Sequence, residues 1–309
     1  MLVSVTLNPS IDKTMVVEDF KLNATNRAKS ERIDLGSKGI NVAKAAKALD
    51  ADITCIGFMF EKKGGMFKED FKNRGIKYDF IMCRGEVRTN IKVFDPKNNT
   101  MTEINGIVPS VNDQDIQRVK GQVEKYAAQS SLMVFAGSLP LGVADGLYRE
   151  LIEICSKYPV KCYLDTSGDA LKEGIKAQPF MIKPNLSELE QLLSAKISCD
   201  DEVIEGAREI AGSGVECVVV SLGERGAIAV FRNKVYRVKP LRVKAVGTVG
   251  AGDSLLTGIA VAMDRTGDFE YALKLGSACA ASSVTKEGTQ LFTKEDVHKY
   301  FDQVEIEHL

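Results

Sequence analysis

Short, almost uninterrupted apolar runs recur along the chain at 3–7, 53–58, 132–136, 160–164, 180–182 and 217–222. Helix-length segments lie between them at 40–49, 113–128, 145–157, 186–193 and 201–212. Successive side chains of a strand point to opposite sides, so a strand that is apolar at consecutive positions must be covered on both faces. Strands of this kind alternating with helices predict a mostly parallel central sheet covered by helices on both faces, an α/β fold. The stretch 254–301 reads as mostly helical.

Two regions break this rhythm. Residues 11–35 are polar, with strand-like pieces at 14–17 and 29–35, and residues 87–105 alternate polar with apolar before and after a turn at 96–99. A period of two marks strands that are wet on one face. Together they predict a small β-sheet lid, discontinuous in sequence, on a single domain spanning 1–309. Residues 226–238 predict a hairpin turning at Asn233, at an edge of the core sheet. There is no internal repeat and no low-complexity segment.

The composition, 44% hydrophobic and 27% charged with a net charge of −1, is that of an ordinary globular protein. No segment concentrates Lys and Arg, which argues against nucleic acid as a partner. The seven cysteines are scattered without a CxxC pair. Reduced, packed thiols are expected, not a disulfide framework or a zinc site. The N-terminus carries no basic leader pattern and no apolar run reaches a membrane span, so a cytoplasmic location without membrane contact is expected. The only two histidines are His298 and His308. A histidine triad is therefore not expected, and a general base should be a carboxylate.

The stretch richest in chemistry is Val249-Gly-Ala-Gly-Asp-Ser254, which leads into a helical pattern. Gly250 and Gly252 allow a sharp turn and a close approach to a ligand. The helix end offers unpaired N–H groups and partial positive charge, a site suited to phosphate. Asp253 is anomalous there, and serves either as a helix cap or as a base aimed at an attacking hydroxyl. The helix end should favour its ionised form.

Six other segments carry candidate chemistry at strand ends, at helix starts or, for one, at the start of a lid strand. Thr6-Leu-Asn-Pro-Ser-Ile-Asp12 puts Asp12 beyond the first strand, as a turn residue or as an acceptor for sugar hydroxyls. Gly36-Ser-Lys-Gly-Ile-Asn41 opens a helix and carries Lys38, but has neither Walker A nor Rossmann spacing. Glu86-Val-Arg-Thr-Asn90 supplies Arg88, which with Lys38 reads as an isolated cation at a pocket mouth. Gly137 and Ser138 follow a buried strand, and Lys183-Pro-Asn-Leu-Ser-Glu188 predicts a capping box between Asn185 and Glu188. Ser221-Leu-Gly-Glu-Arg-Gly226 adds one more glycine loop. All share the sheet edge at which α/β enzymes build their sites.

In this order, these segments resemble the PfkB (ribokinase-like) carbohydrate kinases, and within them the hexose-phosphate kinase branch. The likeness runs from Thr6-Leu-Asn-Pro-Ser-Ile-Asp12 through Lys183-Pro-Asn-Leu-Ser-Glu188 to Thr248-Val-Gly-Ala-Gly-Asp-Ser254, nearly the whole chain. It implies a ribokinase-like fold and an ATP-dependent transfer to a hexose phosphate. Asp253 would be the base, with Gly250, Ala251 and Gly252 forming the anion hole. Asp12, Gly36, Lys38, Gly39, Asn41, Arg88 and Ser138 would hold the sugar phosphate. Lys183, Asn185, Glu188, Ser221, Gly223, Gly226 and Thr248 would flank ATP and Mg²⁺, with Glu188 acting through metal-bound water. Family members usually pair through the lid strands, which implies a homodimer. The family's Gly-Gly-Lys-Gly is here Gly36-Ser-Lys-Gly39, so Ser37 brings a side chain beside the expected sugar site. A sugar-phosphate-binding regulator without catalysis is the alternative of another class. The intact Asp253 and its flanking glycines argue against it.

Overall fold

The computed structural model describes residues 1–286 and 291–309. The chain opens with β1 (Leu2–Thr6), β2 (Ser10–Val16), β3 (Ser30–Gly36), α1 (Lys38–Ala48) and β4 (Ile53–Lys62). Next come α2 (Gly64–Arg74), β5 (Lys77–Glu86), β6 (Arg88–Asp95) and β7 (Thr100–Ile104). Alternation then sets in: α3 (Asp113–Ala127), β8 (Leu132–Ala136), α4 (Leu147–Cys155), β9 (Lys161–Asp165), α5 (Gly168–Ile175) and β10 (Met181–Ile182). Helices α6 (Leu186–Leu193) and α7 (Asp200–Gly212) precede β11 (Cys217–Ser221) and the hairpin β12 (Ala227–Phe231) and β13 (Lys234–Val238). Helices α8 (Ala251–Thr266), α9 (Phe269–Val284) and α10 (Lys294–Phe301) lead to β14 (Ile306–His308). The end of the chain is thus mostly helical as expected, with 287–290 outside the described residues.

The described residues form a ten-stranded sheet in the order β14-β13-β12-β11-β10-β9-β8-β1-β4-β5. Every pairing from β11 to β5 is parallel, and β12, β13 and β14 add antiparallel pairs at the other edge. All residues of β1 and β8 are buried, so both faces of the sheet centre are covered. Helix α1 packs on β1, β4 and β8, and α8 packs on α1 and α9. The chain runs outward from β1 to β4 and β5, then returns to β8 on the other side of β1. That reversal opens a crevice beyond the carboxyl ends of β1 and β8, the usual ligand position in an open parallel sheet.

Four elements had escaped the hydrophobic pattern, for physical reasons. Strand β5 lies at the sheet edge and is largely exposed, so it lacks a continuous apolar run. Strand β14 is three residues, too short to show a period, recruited by pairing with β13. Helices α2 and α5 each begin on glycine and bury only three residues, a weak periodic signal. The hairpin does turn at Asn233, where Arg232 and Asn233 adopt φ of 49° and 66° as a tight two-residue turn requires.

The two polar segments pair into one separate four-stranded sheet, in the order β3-β2-β6-β7. Strand β2 starts at Ser10, earlier than the pattern suggested, because Ser10 is in register with both Gly36 and Arg88. The alternation gives this sheet two unlike faces. One carries Asp12, Asp34, Arg88, Asn90 and Lys92; the other carries the cross-strand row Ile33, Lys13, Ile91 and Ile104.

Candidate active site

Helix α8 begins at Ala251 behind Gly250, whose φ of 82° is the left-handed conformation that glycine adopts at little cost. Ala251 N–H bonds to Thr248 O at 3.3 Å, and Ser254 N–H to Gly250 O at 2.9 Å. The first-turn N–H groups between them have no carbonyl one turn back. A Cβ at position 252 would lie 3.1 Å from Lys183 Nζ, so this glycine lets an ammonium stand directly against the helix start. Unpaired N–H groups, a small-residue cradle and an adjacent cation together fit a phosphoryl group.

Asp253 is buried in the first turn of α8 and accepts a hydrogen bond from Asn41 Nδ2 at 2.7 Å. It makes no cap: Gly250 is the N-cap residue and no side chain caps the helix. The pKa of this carboxylate is not lowered as the helix end alone would have it, though it stays below neutral pH. Burial, and then the charge of Asp165, raise its pKa to about 6, against the smaller opposing pull of Lys38, Asn41 and Lys183. A helix end is worth about 0.3–1 kcal/mol at the surface, less than the cost of desolvating a charge.

Asp165, at the carboxyl end of β9, joins the other groups. Its fully buried carboxylate meets Lys38 Nζ at 2.7 Å and Lys183 Nζ at 3.4 Å. Burial opposes its ionisation, but Lys183 and Lys38 outweigh that and hold its pKa below the ordinary carboxylate value. Burial likewise opposes the Lys38 ammonium, and Asp165 and Asp253 overcome it and raise its pKa. Lys38 is therefore not the isolated cation expected from sequence but one arm of a Lys38–Asp165–Lys183 bridge. Asp165 ends a strand, the same signal that marks Ser138 and Lys183.

Asp12 also differs from expectation. It lies inside β2, not in a turn beyond β1, and is buried against Asn90 Nδ2 at 2.8 Å and Lys92 Nζ at 3.0 Å. Neither partner is among the site residues that the resemblance implies. On the same face Arg88 keeps a buried Nε without a hydrogen-bond partner among the described residues. Burial lowers its pKa and the charge of Asp12 opposes that. A guanidinium remains charged regardless, and an orphaned N–H on it asks for an acceptor.

The remaining predicted positions divide between the edge and the packing. The Asn185–Glu188 capping box is present, each side chain accepting the other's backbone N–H at 2.8 Å. Asn185 also bridges to Ser221, which brings β10 and β11 together ahead of Gly223. Ser138 is exposed at the end of β8, and Thr248 is exposed ahead of α8. Gly39 and Gly226 have packing reasons of their own: a Cβ would meet Val5 O at 2.7 Å and Val238 O at 2.2 Å respectively. A Cβ on Gly36 would touch Asn41 Oδ1 at 3.3 Å.

Ser37 stands at φ 140° and ψ 162°, a conformation open to glycine and strained for other residues. Its hydroxyl shares a hydrogen bond of 2.8 Å with Thr6 Oγ1. Both Ser37→Ala and Ser37→Gly lose that bond, but only glycine also loses the strain. The glycine variant should therefore be the more stable of the two by about 1–3 kcal/mol in urea unfolding, the reverse of the usual order. Equal stabilities would show that the backbone at 37 is unstrained.

The family model of the pfkB family carbohydrate kinases matches residues 5–296. The chain belongs to this family. Over 310 aligned residues the kinase is 33% identical to a 1-phosphofructokinase of Borreliella burgdorferi, covering 100% of this chain and 99% of that protein. It is 29% identical to a tagatose-6-phosphate kinase of Staphylococcus epidermidis, covering 99% of each. The fold superposes on phosphofructokinase-2 from Escherichia coli in complex with potassium with a TM-score of 0.90, at 27% identity over 98% of each chain. The ribokinase-like architecture expected from sequence is thus the one observed, and the protein is a sugar kinase. Among the described residues no helix is long and apolar enough to cross a membrane.

Proposed function

We propose that this kinase transfers the γ-phosphoryl group of ATP to fructose 1-phosphate, giving fructose 1,6-bisphosphate. The observation that carries the reading is a buried carboxylate, Asp253, held by Asn41 at the open start of α8, with Lys183 against Gly252. Phosphoryl transfer needs chiefly positioning and charge stabilisation, and this arrangement supplies both. Asp253 takes the proton of the acceptor hydroxyl as its oxygen bonds to the γ-phosphorus and the bond from that phosphorus to the leaving ADP oxygen breaks. The turn Gly250-Ala251-Gly252, through the first-turn N–H groups that have no carbonyl partner and with Lys183 beside them, receives the charge of the transferred group. Lys183, Asn185, Glu188, Ser221, Gly223, Gly226 and Thr248 flank the nucleotide. Mg²⁺ supplies neutralisation of phosphate charge, and Glu188, fixed by its capping box, would order the metal's water.

Asp12, Gly36, Lys38, Gly39, Asn41, Arg88 and Ser138 hold the sugar phosphate. The preference for fructose 1-phosphate rests on Gly39-Ile-Asn41, Arg88-Thr-Asn-Ile-Lys92 and Thr102-Glu-Ile-Asn-Gly106. It is supported by the name of the Borreliella burgdorferi relative. Two of these segments also interlock. Asn90 donates to Asp12 and accepts from Gly106 N–H at 3.1 Å. Tagatose 6-phosphate is the second reading, favoured by the Staphylococcus epidermidis relative. An ADP-release assay on fructose 1-phosphate, tagatose 6-phosphate and fructose 6-phosphate decides between them. Tight sugar-phosphate binding without ADP release would instead indicate a regulator.

Arg88→Ala should raise the KM for the sugar phosphate by the equivalent of about 1.5–3 kcal/mol, the scale of a charge-assisted hydrogen bond. The KM for ATP should barely move. Equal losses for both would assign Arg88 to the fold. The small sheet acts as a lid that excludes water and joins two copies of the chain. Ile33 and Ile104, about half exposed on its apolar face, support that pairing. A sedimentation profile showing a fully active monomer would refute it.

A further inference from the structure

Asn8 belongs to no element, yet it sits where the chain reverses direction across the sheet. It follows β1, and its side chain reaches over to the end of β8, spanning the crevice between the two neighbouring strands. Only 3% of Asn8 is exposed. Its Nδ2 donates to Ser138 Oγ at 3.1 Å and to Leu139 O at 3.3 Å, and its Oδ1 has no partner among the described residues.

The amide cannot be turned over without cost. A flip would set Oδ1 against the Leu139 carbonyl, two acceptors face to face, and would strand both N–H groups. The orientation is therefore dictated by Leu139 O, and it dictates in turn what Ser138 does. The Ser138 oxygen is used as an acceptor, so its proton points elsewhere. Among the described residues that hydroxyl has no other hydrogen bond, and Ser138 is exposed at the crevice.

We propose that Asn8 is a positioning residue that fixes the Ser138 hydroxyl as a hydrogen-bond donor to the bound sugar phosphate. That position of the site then takes a ligand atom with lone pairs, such as a phosphate or carbonyl oxygen. This rests on Ser138 belonging to the sugar-phosphate site.

The test is a double-mutant cycle with Asn8→Ala and Ser138→Ala. It is read as KM for whichever of fructose 1-phosphate and tagatose 6-phosphate turns over, with KM for ATP and thermal melts alongside. Ser138→Ala should raise the sugar-phosphate KM on the order of tenfold, the loss of about one hydrogen bond to a charged group. Asn8→Ala should do nearly the same in the parent enzyme and add less than about twofold once Ser138 is gone. Asn8→Asp keeps the shape and turns the atom facing Ser138 into an acceptor. It should raise the KM beyond Asn8→Ala and serves where the alanine variant does not fold. An Asn8→Ala effect of the same size in both backgrounds, or an Asn8→Asp enzyme that binds like the parent, overturns the role of Asn8 alone. An unchanged KM in Ser138→Ala overturns the placement of Ser138 first, and the proposal with it.

Discussion

Asp253→Asn is expected to lower kcat by roughly 10²–10⁴-fold while both substrates still bind, the usual contribution of a positioned general base. Asparagine keeps the shape, and its Oδ1 can still accept the 2.7 Å hydrogen bond from Asn41. A loss below about tenfold would remove Asp253 from the role of base. The raised pKa makes two further outcomes specific. The ionised carboxylate is the form that accepts a proton, so kcat/KM in the parent enzyme, which reports the free enzyme, should fall as pH drops through about 6. The linkage for stability has the opposite sense. A carboxylate with its folded pKa raised above the unfolded value favours the fold below about 3.8, and that contribution is lost as pH rises through about 6. At neutral pH the charge on Asp253 is therefore a cost. Asp253→Asn should accordingly melt at or above the parent at pH 7, and a large drop in Tm would contradict this.

Asp165→Ala should destabilise the protein by about 3–5 kcal/mol in urea unfolding, the range for removing one partner of a buried ion pair. The weight falls on Lys183, 5% exposed, which is left beside Gly252 with its closest counter-ion gone. Lys38 is 35% exposed and can turn to solvent, so its share is small. Lys239→Ala, which breaks exposed pairs with Glu305 and Glu307, should cost less than about 1 kcal/mol. The milder Asp165→Asn separates electrostatics from folding. Asp165 is the second cause, after burial, of the raised Asp253 pKa, so its neutral substitute should move the acid limb of kcat/KM to lower pH. If the limb stays near pH 6, burial alone sets the base.

Much of the site could be read from local pattern. The Asn185–Glu188 capping box, the turn at Asn233 and the glycine-flanked start of α8 depend on residues within a few positions of one another. The Lys38–Asp165 bridge and the Asn41–Asp253 hydrogen bond join residues 127 and 212 positions apart, and no spacing announces them. The strand position of Asp12 is hidden in the sequence for a related reason. Asn8-Pro9 reads as a turn, and only pairing with β3 and β6 draws Ser10 and Asp12 into a strand.

By itself, then, the sequence determined the α/β architecture, the separate sheet with its two unlike faces, and the cluster of small and charged residues at strand ends. Side-chain periodicity and burial act locally, and each element carries its own record of them. Only the tertiary structure decided which charges meet and what they do to one another. It pairs Lys38 with Asp165, it buries Asp253 beside a second carboxylate, and it turns the expected pKa shift of that residue around. Solvation and the distance between charges are properties of the assembled sheet edge. A carboxylate's ionisation depends on both.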